Sequence, residues 1–220
     1  MITTRKNFLA ACAAVLCTSG LAVAQDEMSE PVTATAATVK NLEPKTGLPV
    51  GWIAPGVELK DKDGKAVKLS ELYAKGPTVV AFYRGGWCPF CVRQLRDWRE
   101  YESEFEAAGV NLVFITPEAV ENVASSVEKT ETPYTVLSDT EQKAASLFNV
   151  IFQLDDQTRQ RYKGYGIDLN AWNANSEWSL PVPGVFVIDT EGAVRWTYIN
   201  ENYQERADVE EVLEAAAALN

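Results

Sequence analysis

The chain has 220 residues, a formal net charge of −11 and no histidine. That length fits one domain with a sizeable core. The acidic balance argues against a nucleic-acid partner, whose phosphates call for clustered Lys and Arg. It is the balance of a solvated acidic surface. The missing histidine removes Ser-His-Asp triads, Cys–His catalytic pairs and every His-containing zinc site.

The first stretch, "MITTRKNFLAACAAVLCTSGLAVA", has Arg5 and Lys6, an apolar centre and an Ala22-Val23-Ala24 end. This is the pattern of a secretory signal peptide over 1–24, cleaved after Ala24. A membrane anchor is the competing reading, but Thr18-Ser19-Gly20 interrupts the apolar run. Weaker patterns for lipoprotein processing at Cys12 and for twin-arginine export also lie here. The expected location is therefore periplasmic or otherwise exported, with no stable membrane anchor after cleavage. Cys12 and Cys17 fall inside the leader, which leaves Cys88 and Cys91 as the cysteines of the mature chain.

Residues 25–47 are small, polar and rich in Thr and Ala, without sustained periodicity, and read as a flexible linker. The folded domain is expected over 48–220. "DKDGK" at 61–65 is a turn, followed by a short helical "LSELYA". "PTVVAFY", 77–83, is the apolar, β-branched run of a buried central strand. Val92, Leu95, Trp98 and Phe105 then share one helix face that ends near Gly109. "VNLVFIT", 110–116, is a second buried strand. Residues 118–130 and 140–148 read as helices, the latter capped by Ser138 or Asp139. A helix is expected to stop at Gly164, and "NAWNANSEW" reads as a loop. Trp172 and Trp178 there either line a groove or, on the plainer reading, cover the sheet edge. "PGVFVID" and "AVRWTYI" around Thr190-Glu191-Gly192 form a hairpin signal, and a last helix covers 206–219.

Chemistry concentrates in "FYRGGWCPFC", 82–91. Zinc needs about four ligands, and two cysteines without histidine do not supply them. A disulfide across two intervening residues closes too small a loop to restrict the unfolded chain much. A redox dithiol fits better. The pair stands between a buried strand and a helix start, where free N–H groups and the helix dipole favour a thiolate. Arg84, and Arg93 one turn on, add positive potential; the plainer reading of Arg93 and Arg96 is a solvated helix face. Pro89 suits a first helical turn, and Gly85-Gly86 permits a sharp exit from the strand.

"WCPFC" after a strand and before a helix resembles the thioredoxin superfamily. The wider pattern resembles its AhpC/TSA-type peroxiredoxin branch. "GWIAPGVELKDKDGKAVKLSELYAKGPTVVAFYRGGWCPFC", "TVLSDTEQKAASLFNV" and "LPVPGVFVIDTEGAVRW" are similar to that branch's entry region, "LSD" stretch and closing hairpin. The resemblance covers nearly all of 50–218 and is closest to the CxxC-containing subgroup. It implies an α/β thioredoxin-like fold, with a central mixed β-sheet flanked by helices. It also implies a thiol-dependent oxidoreductase acting on hydroperoxides or disulfides. No cofactor is implied; the partner would be a thiol electron donor, either a protein or a small thiol.

The departures from the family pattern are specific. Arg84 stands where peroxiredoxins carry Pro, Cys88 where they carry Thr, and Cys91 at their peroxidatic position. Thioredoxins instead use the first cysteine of the pair, here Cys88. The family arginine before the late strand aligns with Pro183, which resembles the cis-proline of thioredoxins. Cys88 and Cys91 are thus the expected catalytic pair, with Arg84, Trp87 and Pro183 in support. Which sulfur attacks is left open. So are two other functions: a dedicated disulfide reductase of the cytochrome c maturation kind, and a non-enzymatic binding module that has kept the fold.

Overall fold

The computed structural model describes residues 31–220. The leader expected over 1–24, with Cys12 and Cys17, lies outside the described residues, as do residues 25–30. In chain order the elements run α1 (Ala36–Val39), β1 (Glu58–Asp61), β2 (Ala66–Lys68), α2 (Leu69–Tyr73), β3 (Thr78–Phe82) and α3 (Pro89–Arg99). There follow α4 (Glu102–Ala107), β4 (Asn111–Thr116), α5 (Val120–Thr130), β5 (Thr135–Ser138), α6 (Lys143–Leu147) and β6 (Ile151–Gln153). The last are α7 (Asp156–Gly164), α8 (Leu169–Asn173), β7 (Ser179–Pro181), β8 (Gly184–Ile188), β9 (Val194–Ile199) and α9 (Val209–Ala217).

Seven strands form one mixed sheet in the order β2-β1-β5-β4-β3-β8-β9. β3, β4 and β5 are parallel, while β1, β8 and β9 join antiparallel. The central strands are buried along their whole length, which is why they read as continuous apolar runs. Their side chains alternate between two cores. Val80, Phe82, Val113, Ile115, Phe186 and Ile188 face one, with α1, α2 and α6 beyond. Val79, Ala81, Tyr83, Leu112, Phe114 and Val187 face the other, with α3, α4, α5 and α9. Helices therefore cover both faces, the layering expected of a thioredoxin-like fold.

Three local expectations change. Residues 31–47 do not behave as a flexible linker. Ala34 and Val39 are buried in the first core beside Leu48, and Ala34 N donates to Ile53 O at 2.9 Å. Thr35 and Thr38 close a reciprocal capping box at the start of α1. The Thr and Ala residues that look like low complexity are cap and small packing residues here. The helix from Cys88 toward Gly109 is broken at Glu100-Tyr101 into α3 and α4. The "NAWNANSEW" loop begins as α8, capped by Asp168 through Asn170 N at 3.0 Å.

Other expectations hold. The helix expected over 140–148 is α6, which starts later, at Lys143 with Gln142 in the N-cap position; Asp139 still serves its first turn, accepting from Ala144 N at 3.1 Å and Ala145 N at 2.9 Å. α7 stops at Gly164, and β8 and β9 form the hairpin. Trp178 is buried against Leu154, Leu169 and Leu180, so it serves packing. No helix among the described residues is long and apolar enough to cross a membrane.

Candidate active site

β3 ends at Phe82, and the chain leaves the sheet through Tyr83 and Arg84 into Gly85-Gly86. Gly85 has φ +141°, which a side chain disfavours. A Cβ on Gly86 would lie 2.0 Å from Ser126 Oγ, so any side chain there would have to displace Ser126. Beneath this turn sits Glu118, fully buried just after β4. Its Oε1 accepts from Gly86 N at 3.0 Å and Ser126 Oγ at 3.1 Å. Its Oε2 accepts from Tyr83 Oη at 3.1 Å and Thr116 Oγ1 at 3.3 Å. Burial pushes the Glu118 carboxyl up, and these four donors oppose the shift.

The turn delivers Cys88 as the cap of α3, in extended conformation, with Pro89 in the first helical turn. Cys88 is 1% exposed and Cys91 0%, and both are free thiols. Their environments push the two sulfurs apart. The Cys91 thiol donates to the Cys88 sulfur and, with the Cys91 backbone N–H and the charges of Arg84 and Arg206, holds Cys88 at about 6 against its burial. Burial, then the neighbouring Cys88, pushes the Cys91 thiol well up; Arg206 and the Arg84 backbone N–H pull the other way. One thiolate and one thiol at neutral pH is a nucleophile with a resolving partner beside it.

The structure brings Arg84 and Trp87 to the dithiol. Arg84 is 3% exposed, and its guanidinium lies 4.2 Å from the ring centre of Tyr203, 5.2 Å from Trp87 and 5.6 Å from Tyr162. Its Nε has no hydrogen-bond partner, and no carboxylate pairs with it among the described residues. A cation buried so is held by aromatic faces and by the field of the Cys88 thiolate. Trp87 packs edge-on to Tyr162 at 5.5 Å between centroids. Arg93 does not join the site; its guanidinium rests 5.1 Å over the Phe90 ring.

Pro183 sits beside the end of the sheet that bears the dithiol, since the following Gly184 pairs with Phe82. It is buried, and no peptide bond among the described residues is cis. Pro183 is therefore trans, and the likeness to a thioredoxin cis-proline does not carry over. The flanking pairing of β8 with β3 fixes the backbone here without it.

Three participants escaped the sequence analysis: Glu118 beneath the turn, Arg206 and Tyr203. Arg206 precedes α9, and its Nη2 lies 3.5 Å from Cys91 Sγ. Its Nε donates to Gln94 Oε1 at 2.9 Å, and its Nη1 donates to the carbonyls of Tyr203 and Glu205. Tyr203, in the same segment, meets both Arg84 and Phe90. The separation from the CxxC hid them; the sequence analysis took Arg206 as the first residue of the last helix, whereas α9 begins at Val209 and Arg206 lies in the segment before it. Among the described residues, no group of three or more Cys, Asp or Glu side chains is placed to hold a metal ion.

Comparisons agree with this geometry. Residues 50–197 match the family described as the AhpC/TSA family. The chain is 29% identical to chloroplastic peroxiredoxin Q of Suaeda salsa over 169 residues, 77% of this chain and 68% of that protein. Among solved structures, peroxidoxin BcpB of Mycobacterium tuberculosis superposes with TM-score 0.62 at 24% identity, covering 81% of this chain and 99% of that one. Peroxiredoxin Q of Xanthomonas campestris superposes with TM-score 0.54 at 18% identity, covering 74% and 87%. A match across the sheet, the dithiol turn and the closing hairpin makes this chain a member of the AhpC/TSA family.

Proposed function

We propose that the chain is a thiol-dependent peroxidase in which Cys88 attacks and Cys91 resolves. The observation that carries this reading is the contrast between the two sulfurs, a helix-capping Cys88 held at about 6 and a buried Cys91 pushed up. The Cys88 thiolate attacks the O–O bond of a hydroperoxide, and the alcohol or water leaves with a proton. Cys91 then displaces water from the Cys88 sulfenic acid, closing the disulfide. A thiol electron donor, protein or small, returns two electrons. Arg84 and Trp87 support Cys88 by charge and by cover, and Pro183 backs the end of β3. The family membership and its peroxiredoxin relatives support the peroxidase class.

A sulfur only 1% exposed is reached more readily by a small hydroperoxide than by a folded disulfide partner. Thiol–disulfide exchange is the second reading. It is favoured by Pro183, which leaves the family's late-strand position without an arginine. We assign the protein to an oxidising exported space, on the leader pattern of residues 1–24, with a role in peroxide defence.

The deciding experiment follows hydrogen peroxide loss and reduction of a small disulfide in wild type, Cys88→Ser and Cys91→Ser. The expected result is no peroxide loss with Cys88→Ser and a single turnover with Cys91→Ser. Peroxide consumption retained by both variants removes the dithiol from the reaction. Mass spectrometry of the exported protein, expected to begin at Gln25, tests the location.

A further inference from the structure

Resolution by Cys91 poses a physical problem. The sulfur is 0% exposed, and burial favours the neutral thiol, which is a poor nucleophile. Glu118 does not solve it by direct contact, because its carboxylate oxygens are occupied by Gly86, Ser126, Tyr83 and Thr116. The charged side chain in contact with Cys91 Sγ is Arg206, at 3.5 Å.

We propose that Arg206 activates Cys91 as the resolving thiol, its guanidinium supplying the positive charge that lets a fully buried sulfur react as the thiolate. This rests on the reading that Cys88 attacks first.

The geometry is built for the task. Gln94, itself 4% exposed on the buried face of α3, takes the Arg206 Nε at 2.9 Å. The carbonyls of Tyr203 and Glu205 take Nη1. That leaves Nη2 for the sulfur. No carboxylate lies within ion-pair distance of Arg206 among the described residues, so its charge is not neutralised locally.

The order of events then follows from charge. While Cys88 is a thiolate, a second negative charge three residues on is repelled, and Cys91 keeps its proton. Attack on the hydroperoxide turns the Cys88 thiolate into a neutral sulfenic acid. The repulsion disappears and the Arg206 attraction stays. Cys91 loses its proton, its sulfur bonds to the Cys88 sulfur, and the hydroxyl leaves as water with that proton. Arg206 also adds to the field that lowers Cys88, but its contact is with Cys91 Sγ at 3.5 Å, so it acts chiefly on the second step, from a chain position unrelated to that of the family's late-strand arginine.

The test is a single turnover with substoichiometric hydrogen peroxide, quenched at intervals and trapped with dimedone for mass spectrometry. Wild type should pass to the disulfide with little Cys88 adduct. Arg206→Met should accumulate that adduct, with closure slowed about tenfold or more relative to the change in peroxide loss. Arg206→Lys should recover much of the closure rate, which a purely structural tie would not predict. Gln94→Leu, which keeps the charge but releases its aim, should fall between and carries the test should Arg206→Met fail to fold. Closure at the wild-type rate in both Arg206→Met and Gln94→Leu overturns the proposal, and so does equal slowing of both steps. Failure of the underlying reading looks different: the adduct then forms on Cys91, even in wild type.

Discussion

The Arg84 guanidinium lies 4.2 Å from the ring centre of Tyr203, buried and without a carboxylate partner among the described residues. A buried cation ordinarily demands an ion pair. Here the compensating charge is the Cys88 thiolate, so the two groups stabilise each other. Arg84→Met keeps the apolar stem and removes the charge. Cys88 should shift upward, and its alkylation by iodoacetamide at pH 6.5 should slow by about three- to tenfold. Thermal stability at neutral pH should fall, because the buried Cys88 thiolate loses a compensating charge, and the loss should shrink as pH drops and the thiol is protonated. Arg84→Lys should recover the alkylation rate only in part, since an ammonium does not stack flat between rings.

The pH dependence separates the two sulfurs. Cys88 sits at about 6, so one thiol should gain reactivity as pH rises through that value. Cys91, pushed well up, should stay silent across the same range. The stability sign follows from linkage. A thiol lowered in the folded state stabilises the fold fully above its unfolded value, and that stabilisation is lost as pH falls through about 6. Urea denaturation of the reduced protein should show wild type gaining on Cys88→Ser between pH 5 and pH 8. A gap that stays flat over that range would mean Cys88 is not ionised in the fold.

How much of this was legible beforehand depended on sequence distance. The strand 77–83, the glycine turn and the dithiol at a helix start are contiguous, and each leaves a local signature of burial, φ freedom or capping. The mixed sheet followed from the same runs together with the family likeness. Arg206 and Tyr203 reach the dithiol only because β9 and the segment after it return beside α3, and periodicity carries no trace of that. Glu118 reads as an ordinary helix-start acid until Gly86 and Tyr83 are seen to close over it. Residues 31–47 looked like a linker because Ala and Thr pack and cap without the large apolar residues that mark a core. Arg93 followed its plainer reading: it is exposed on α3, as helical spacing placed it, and its guanidinium lies over the Phe90 ring.

Gly86 gives a steric prediction. Its added Cβ would stand 2.0 Å from Ser126 Oγ and 2.9 Å from Ser126 Cβ. Gly86→Ala should cost about 1–3 kcal/mol by chemical denaturation, in the range of overpacking. Combining it with Ser126→Ala removes the nearer atom but not the Cβ, so recovery should be partial. Full additivity of the two substitutions would show that the clash is relieved elsewhere.

Glu118 is the last test, and its outcome depends on which atom replaces the carboxylate. Gly86 N–H is a fixed donor and requires an acceptor at the Oε1 position. The hydroxyls of Tyr83 and Thr116 at Oε2 can turn and accept instead. Glu118→Gln therefore fits with its amide oxygen toward Gly86 and its NH2 toward the two hydroxyls. Glu118→Ala leaves those donors unpaired in the core, at about 1–3 kcal/mol for each group left unsatisfied. Burial pushes the Glu118 carboxyl up. A carboxyl raised in the fold contributes stability that is present at low pH and lost as pH rises through its folded value. Glu118→Gln escapes that loss, so its stability relative to wild type should improve as pH increases. The Gln variant should keep the wild-type rate of Cys88 alkylation at its pH plateau, while the Ala variant, with the Gly85-Gly86 turn released, should lose it. Equal alkylation in both would mean that the carboxylate anchors the core without holding the dithiol turn.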